Sequence, residues 1–107
     1  MVARYVGVLI GVWYVVAPFV WGYDLTFNWW HDLVLGGAVL ALSASFLVGW
    51  SRTAGWLLLA VGAYSMLAPF AHGYLEQPFA FWNDLVFGVL TVGTAVALGA
   101  AAIEHGR

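Results

Sequence analysis

Two carboxylates with matching neighbours are the residues of this sequence best placed to do chemistry. Asp32 and Asp84 each stand two residues after a tryptophan, Trp30 or Trp82, at the start of a long apolar run. If the two carboxylates faced each other, they would hold a cation or relay a proton. A helix start also favours a carboxylate, because its amides are unpaired and its dipole end is positive. We interpret Asp32 and Asp84 as helix caps and keep them as the candidate polar site.

Composition limits the class of protein. Of the 107 residues, 64% are apolar and only 7% are charged, whereas about a quarter of a soluble domain is charged. The net charge is -2, with three arginines and no lysine, so the chain offers no basic surface for nucleic acid. The absence of cysteine excludes disulfides and thiolate metal sites. We therefore predict one membrane domain over residues 1–107, with the lipid bilayer as its surroundings.

Apolar runs of membrane length predict an all-α protein with four transmembrane helices. They occupy about residues 5–22, 33–50, 53–71 and 81–103. Some 18 residues of helix rise roughly 27 Å, which is close to the thickness of the hydrocarbon layer. The runs are apolar on every face, whereas the strands of a membrane barrel alternate apolar and polar residues.

Charged and aromatic residues predict the orientation of these spans. The arginines fall on one side and most carboxylates on the other: Arg4, Arg52 and Arg107 against Asp24, Asp32, Glu76 and Asp84. The positive-inside rule then places both termini in the cytoplasm and the protein in the cytoplasmic (inner) membrane. Aromatic residues form an outer and an inner interfacial belt: Trp21, Tyr23, Phe27, Trp29, Trp30, Tyr74, Phe79, Phe81 and Trp82, and Tyr5, Trp50 and Trp56. A binding platform for a pigment, quinone or carbohydrate is the alternative for these rings.

The sequence contains an internal repeat. Gly11–Tyr23 matches Gly62–Tyr74 at six of thirteen positions with an offset of 51 residues, and Trp30–Gly36 matches Trp82–Gly88 with an offset of 52. The main shared residues are Ala17, Pro18, Phe19, Gly22, Trp30, Asp32 and Gly36, and Ala68, Pro69, Phe70, Gly73, Trp82, Asp84 and Gly88. We predict two tandem helical hairpins, over about 5–50 and 53–103. Because each has two spans, the hairpins are parallel and related by a pseudo-twofold axis along the membrane normal.

These paired motifs resemble the SPW repeat family of small prokaryotic membrane proteins. Its two-span unit carries a small-Pro-aromatic motif near the end of the first helix and Trp-x-Asp at the start of the second. Both copies here depart from Ser-Pro-Trp, since 17–19 and 68–70 read Ala-Pro-Phe. The resemblance implies the two-repeat membrane fold and leaves the activity open.

The repeated prolines and glycines predict how the first helix of each unit ends. Pro18 and Pro69 lack an amide hydrogen, so each leaves the carbonyl four residues earlier without its helical partner. Gly22 and Gly73 follow four residues later and favour the left-handed conformation that closes a helix. We expect a kink or an early helix end. The alternative is that the freed carbonyls line a small polar site for an ion or a headgroup.

The histidines do not suggest a metal site. His31 is replaced by Asn83 in the second copy, and His72 by Trp21 in the first. With His105 at the opposite interface, the three do not converge at helical spacing, and we expect them to be hydrogen-bonded to water. Since no nucleophile–base pair or phosphate loop is visible either, we predict no metal, no cofactor, no catalytic residues and no enzyme activity.

Small residues recur every four positions in the second and fourth predicted helices: Gly37, Ala41, Ser45 and Gly49, and Gly93, Ala97 and Ala101. Such stripes let helix backbones approach closely. We predict that these two helices meet near the pseudo-axis, with the first and third helices outside.

Three classes of function compete. A structural or accessory membrane subunit, assembled with other membrane chains or as a homo-oligomer, fits the short loops and the small-residue helix faces. The alternative is an oligomeric channel or transporter for ions or small solutes that uses the outer carboxylates, Asp32 and Asp84. An enzyme fits worst. We favour the accessory subunit.

Overall fold

The structure, a computed structural model, describes residues 2–23, 26–49 and 51–104, with the backbone alone for 101–104. The predicted placements of Asp24, Trp50, His105 and Arg107, and of the Ala101 side chain, lie outside the described residues.

Four α-helices follow one another along the chain: α1 (Val2–Trp21), α2 (Thr26–Ser45), α3 (Arg52–His72) and α4 (Pro78–Glu104). The prediction of an all-helical protein is therefore confirmed. By length and composition, α1, α3 and the stretch Pro78–Ala100 of α4 are long and apolar enough to cross a membrane. The α2 helix falls short of that apolarity because its first two turns carry Asn28, His31 and Asp32.

Each helix packs mainly against its neighbour in the sequence, α1 on α2 and α3 on α4. Smaller contacts of α1 with α4 and of α2 with α3 join the two pairs, and α2 touches α4 only marginally. Apolar side chains from all four helices fill the space between them, among them Ile10, Leu35, Val39, Leu58 and Leu98.

Glycines bring the two helices of each pair into close contact. A Cβ atom added to Gly11 in α1 would lie 2.6 Å from the Cα of Leu40 in α2. In the second pair, a Cβ on Gly62 in α3 would lie 2.9 Å from the backbone nitrogen of Val92 in α4, the equivalent of Leu40. Gly11 and Gly62 are equivalent positions of the repeat, so the same backbone contact recurs in both copies.

The predicted meeting of α2 and α4 through their small-residue stripes is wrong. Gly37, Ala41, Gly93 and Ala97 are exposed on the bundle, and a Cβ added to Gly37 or Gly93 meets no described atom within 4 Å. The glycine that contacts α1 is instead Gly36. One residue along a helix turns the side-chain direction by about 100°, so the stripe and the contact face point in different directions.

Local sequence explains several helix ends. The hydroxyl of Ser51 accepts a hydrogen bond from the amide of Ala54 at 3.2 Å and caps α3, as serine does at helix starts. Gly22 and Gly73 have φ angles of 61° and 74°, in the left-handed region that glycine adopts without strain. Proline is well suited to the first position of α4, because no amide hydrogen is needed there.

Candidate functional site

The two candidate carboxylates lie inside helices and are completely buried. Asp32 and Asp84 are each the seventh residue of their helix, α2 or α4, and both are 0% exposed. Neither helix has an acidic residue in its first turn. The predicted role as helix caps is therefore wrong. The apolar run at 33–50 begins seven residues after α2 does, because the first two turns of α2 carry buried polar side chains such as Asn28 and Asp32.

The fold brings the two carboxylates together. Asp32 Oδ1 lies 3.1 Å from Nδ1 of His31, and the same nitrogen lies 3.6 Å from Asp84 Oδ2. The amide nitrogen of Asn83 is 3.3 Å from Asp32 Oδ2 and 3.3 Å from Asp84 Oδ1. One residue from each repeat, His31 or Asn83, thus bridges both acids. We call His31, Asp32, Asn83 and Asp84 the carboxylate cluster.

Two tyrosines are also hydrogen-bonded to the two acids. Tyr23 donates a hydrogen bond to Asp32 Oδ2 at 2.7 Å, and Tyr74 donates one to Asp84 Oδ2. Burial and the adjacent carboxylate raise the pKa of each phenol well above its ordinary value, so both remain donors. Each tyrosine directly follows a left-handed glycine, Gly22 or Gly73, and the chain reversal there turns the ring back into the bundle. Their predicted place in the interfacial belt is wrong, since both are buried.

On one side of the cluster, two tryptophans hold the asparagine. Trp13 donates its indole N–H to Asn83 Oδ1 at 2.6 Å, and Trp21 approaches the same oxygen at 3.4 Å. The Trp21 ring also stacks on Phe79, with centroids 4.7 Å apart and planes at 9°. This side is built from groups that do not exchange protons near neutral pH.

On the other side, the histidine heads a chain of polar groups. His31 Nε2 lies 2.7 Å from the hydroxyl of Tyr64, which lies 2.9 Å from Nε2 of His72. His31 also lines a groove of about 390 Å³ between α2 and α3, with Phe27 and Tyr64 among its walls. The two histidines are therefore joined through one hydroxyl, whereas their positions in the sequence predict hydrogen bonds to water.

The two sides occupy equivalent positions of the repeat. With the offsets of 51 and 52 residues, Trp13 corresponds to Tyr64 and His31 to Asn83. Each copy therefore supplies a donor or acceptor on its first helix that holds a bridging residue from the other copy. Judged from the sequence alone, the replacement of His31 by Asn83 in the second copy suggests that this position is not part of the repeated design. In the structure, His31 and Asn83 occupy equivalent places beside both acids, and only the chemistry of the side chain differs.

A further hydrogen bond joins the repeats beneath the cluster. The hydroxyls of Tyr14 in α1 and Ser65 in α3 are hydrogen-bonded to each other, and Ser65 also donates to the backbone carbonyl of Asp84 at 2.8 Å. Tyr14 and Ser65 are again equivalent positions. Both side chains are buried, so the pair fastens α1 to α3 inside the bundle.

The remaining motif residues are either packed inside the bundle or exposed on its surface. Four are buried at the ends of α1 and α3, namely Ala17, Pro18, Ala68 and Pro69. Four aromatic members point outward from the bundle, namely Phe19, Trp30, Phe70 and Trp82. Gly36 and Gly88 lie at the close contacts within each helix pair. The outward rings leave Asp32 and Asp84 as the motif members whose side chains enter the polar cluster.

Fold and site together define a small helical protein, with helices apolar enough to cross a membrane, whose repeats each contribute one acid to a buried cluster. The SPW repeat domain matches residues 1–98, and the chain belongs to this family. The resemblance recognised in the paired motifs is confirmed. Comparison with curated proteins and with solved structures found no match.

Proposed function

We propose that the protein is a structural or accessory subunit of the cytoplasmic membrane that works by assembly with other membrane chains or with copies of itself. The observation that carries the proposal is the outward position of the small-residue faces of α2 and α4. The term α2 face refers to Gly37, Ala41 and Ser45, and the term α4 face refers to Gly93 and Ala97. All five residues are exposed. A small-residue face lets a partner helix approach closely in a bilayer, where apolar area alone does not drive association.

The proposal includes four spans with both termini in the cytoplasm. The polar residues Asn28, Asp32 and Ser43 of α2 are all buried, so the surface that this helix presents to lipid is more apolar than its composition. Support for the orientation comes from Arg4, which approaches the carbonyl of Phe46 just after α2, at the end of the bundle where α3 begins. The recurring glycine and tyrosine contacts support a pseudo-twofold arrangement of the hairpins.

A second copy of this chain is the partner that these faces favour. Ala41 and Gly93 are equivalent under the 52-residue offset, so each chain offers two faces of the same kind, one on α2 and one on α4. A face of this kind on one copy can pack against its counterpart on another without a clash of large side chains. Association through both faces would extend beyond a dimer.

The carboxylate cluster supports a structural role within the subunit. Its hydrogen bonds join α4 to α1 through Trp13 and Asn83, and α2 to α3 through His31 and Tyr64. Helix association in a bilayer relies on packing and such interhelical hydrogen bonds. A rigid bundle is what an assembly platform requires.

Site-specific photo-cross-linking in native membranes tests the proposal. A photoreactive amino acid is placed at Ala41 or Ala97, and as matched controls at Leu9 or Leu67, which are 67% and 63% exposed. We expect protein adducts from the two face positions and lipid adducts from the controls. An adduct of twice the chain mass identifies a second copy, and an adduct with one defined other chain identifies a different partner. Adduct patterns that are the same at all four positions would contradict the proposal.

A further inference from the structure

We propose that His31, Asp32 and Asp84 bind one divalent first-row transition-metal ion, with His31 Nδ1 and one oxygen of each carboxylate as ligands. The three histidines alone do not converge at helical spacing, but the fold places a single histidine beside acids from both repeats. This inference is independent of the assembly proposed above, since the cluster lies inside one chain.

The distances within the cluster suit a common metal ion. One ligand atom from each of the three residues lies within 4.8 Å of the others. Nδ1 of His31 is 3.1 Å from Asp32 Oδ1 and 3.6 Å from Asp84 Oδ2. Ligands bonded to zinc at about 2.0 to 2.1 Å in a tetrahedron are about 3.3 Å apart. The two separations between His31 Nδ1 and the carboxylate oxygens bracket that value.

The imidazole presents the correct nitrogen to the acids. Nε2 of His31 is held by the Tyr64 hydroxyl at 2.7 Å, so Nδ1 is the nitrogen that faces the carboxylates. Metal-bound histidines usually have their second nitrogen fixed by such a hydrogen bond, which orients the ring. The His31 side chain is only 7% exposed, so solvent does not compete strongly for Nδ1.

Charge favours a cation at this place. Two completely buried carboxylates within a few ångströms of each other repel, and burial of uncompensated charge is costly. The described arginines do not compensate them, because Arg4 and Arg52 start α1 and α3 at the opposite end of the bundle. A divalent ion between the acids would balance both charges.

A second observation independently points to a ligand. Asn28 is 0% exposed, and neither its amide oxygen nor its nitrogen has a hydrogen-bond partner among the described residues. It lies one helical turn before Asp32 on the same buried face of α2, because residues four apart share a face. A buried amide without partners is uncommon and costly. Its oxygen is the natural fourth donor, directly or through a metal-bound water.

The donor set indicates the kind of metal. Imidazole nitrogen suits zinc, iron, cobalt and nickel, and carboxylates suit harder ions such as manganese. Magnesium and calcium prefer sites made of oxygen alone. A mixed set of one nitrogen and two or three oxygens therefore fits Zn²⁺, and fits Co²⁺ as its spectroscopic substitute.

The test measures Co²⁺ and Zn²⁺ binding to the purified protein in detergent, with an affinity tag that lacks histidine. We expect one ion per chain and a visible Co²⁺ absorption band. His31→Asn should weaken Co²⁺ binding at least tenfold. This variant installs the residue that the equivalent position 83 already carries between the same acids, so the bundle should still fold. His72→Gln is the matched control, since His72 contacts Tyr64 but no carboxylate among the described residues, and it should retain binding.

Two further results decide the question without relying on a single variant. X-ray absorption of the Co²⁺-loaded parent should show one imidazole among nitrogen and oxygen ligands. Asn83→His adds a second imidazole beside the acids and should tighten Co²⁺ binding. The inference is overturned if the parent binds less than a tenth of an equivalent at saturating Co²⁺ and Zn²⁺. Undiminished binding by folded His31→Asn, or more than one imidazole on the ion in the parent, would overturn it as well.

Discussion

Two glycines on α4 provide a matched test of how the helices pack. Gly88 lies against α3, where an added Cβ would be 2.9 Å from the carbonyl oxygen of Gly62 and 2.9 Å from the backbone nitrogen of Met66. Gly93 lies five residues further along the same helix, and an added Cβ there meets no described atom within 4 Å. We expect Gly88→Ala to destabilise the protein and Gly93→Ala to leave it unchanged or more stable.

The size of the effect follows from the difference between the two variants. Replacing glycine with alanine inside a helix gains up to about 1 kcal/mol of intrinsic propensity, and this gain is common to both positions. The difference in unfolding free energy therefore isolates the cost of the clash. Forcing an extra methyl into a packed contact costs about 1 to 3 kcal/mol. Because two of the three nearest neighbours of Gly88 are backbone atoms that cannot rotate away, we expect a difference in the upper half of this range.

The assay is reversible unfolding in mixed micelles, followed by tryptophan fluorescence. The parent and both variants are compared under the same detergent composition. Equal stability of Gly88→Ala and Gly93→Ala, or a larger loss at Gly93, would refute the packing of α3 on α4. The second result would restore the contact between α2 and α4 that the small-residue stripes predict.

The remaining predictions concern the cluster, transport and topology. Asn83→Leu should lower the unfolding free energy by about 1 to 3 kcal/mol, because Trp13 and both acids lose a partner; an unfolding midpoint equal to that of the parent would contradict this. Liposomes with the purified protein should show no proton or cation flux, and Asp84→Asn should match the parent; robust flux that disappears in the folded variant would favour the channel. An impermeant thiol reagent applied to intact cells should label a single cysteine at Glu76 but not at Arg52, and the reverse pattern would invert the topology.

The sequence predicts α1 and α3 well and α2 poorly at both ends, since α2 ends at Ser45 whereas the predicted run extends to 50. The runs at 5–22 and 53–71 correspond to α1 and α3 within three residues at either end. The α2 helix begins at Thr26, seven residues before the predicted run at 33–50, because polar side chains inside a membrane bundle resemble a loop when they are judged by hydropathy alone. The spacing of Asn28, Asp32 and Gly36 is nevertheless that of one helix face.

The sequence predicts which acids belong to the candidate site but does not predict how they are arranged. Repeat matching identifies Asp32 and Asp84, but no sequence pattern shows that two acids 52 residues apart share a bridging side chain. Tyr23 and Tyr74 also match between the copies. Their residue type predicts a place in the aromatic belt, because tyrosine is common at interfaces. Only the left-handed turn before each tyrosine directs its hydroxyl inward.

If this bundle works as part of a larger membrane assembly, the mass of the complex in native lipid should exceed that of one chain. The protein is extracted from membranes with its surrounding lipid, without detergent, and weighed by native mass spectrometry beside an Ala41→Trp variant. We predict a mass of at least two chains for the parent and a shift toward a single chain for the variant, whose bulky ring blocks the α2 face. A parent that consists of single chains alone would contradict the account.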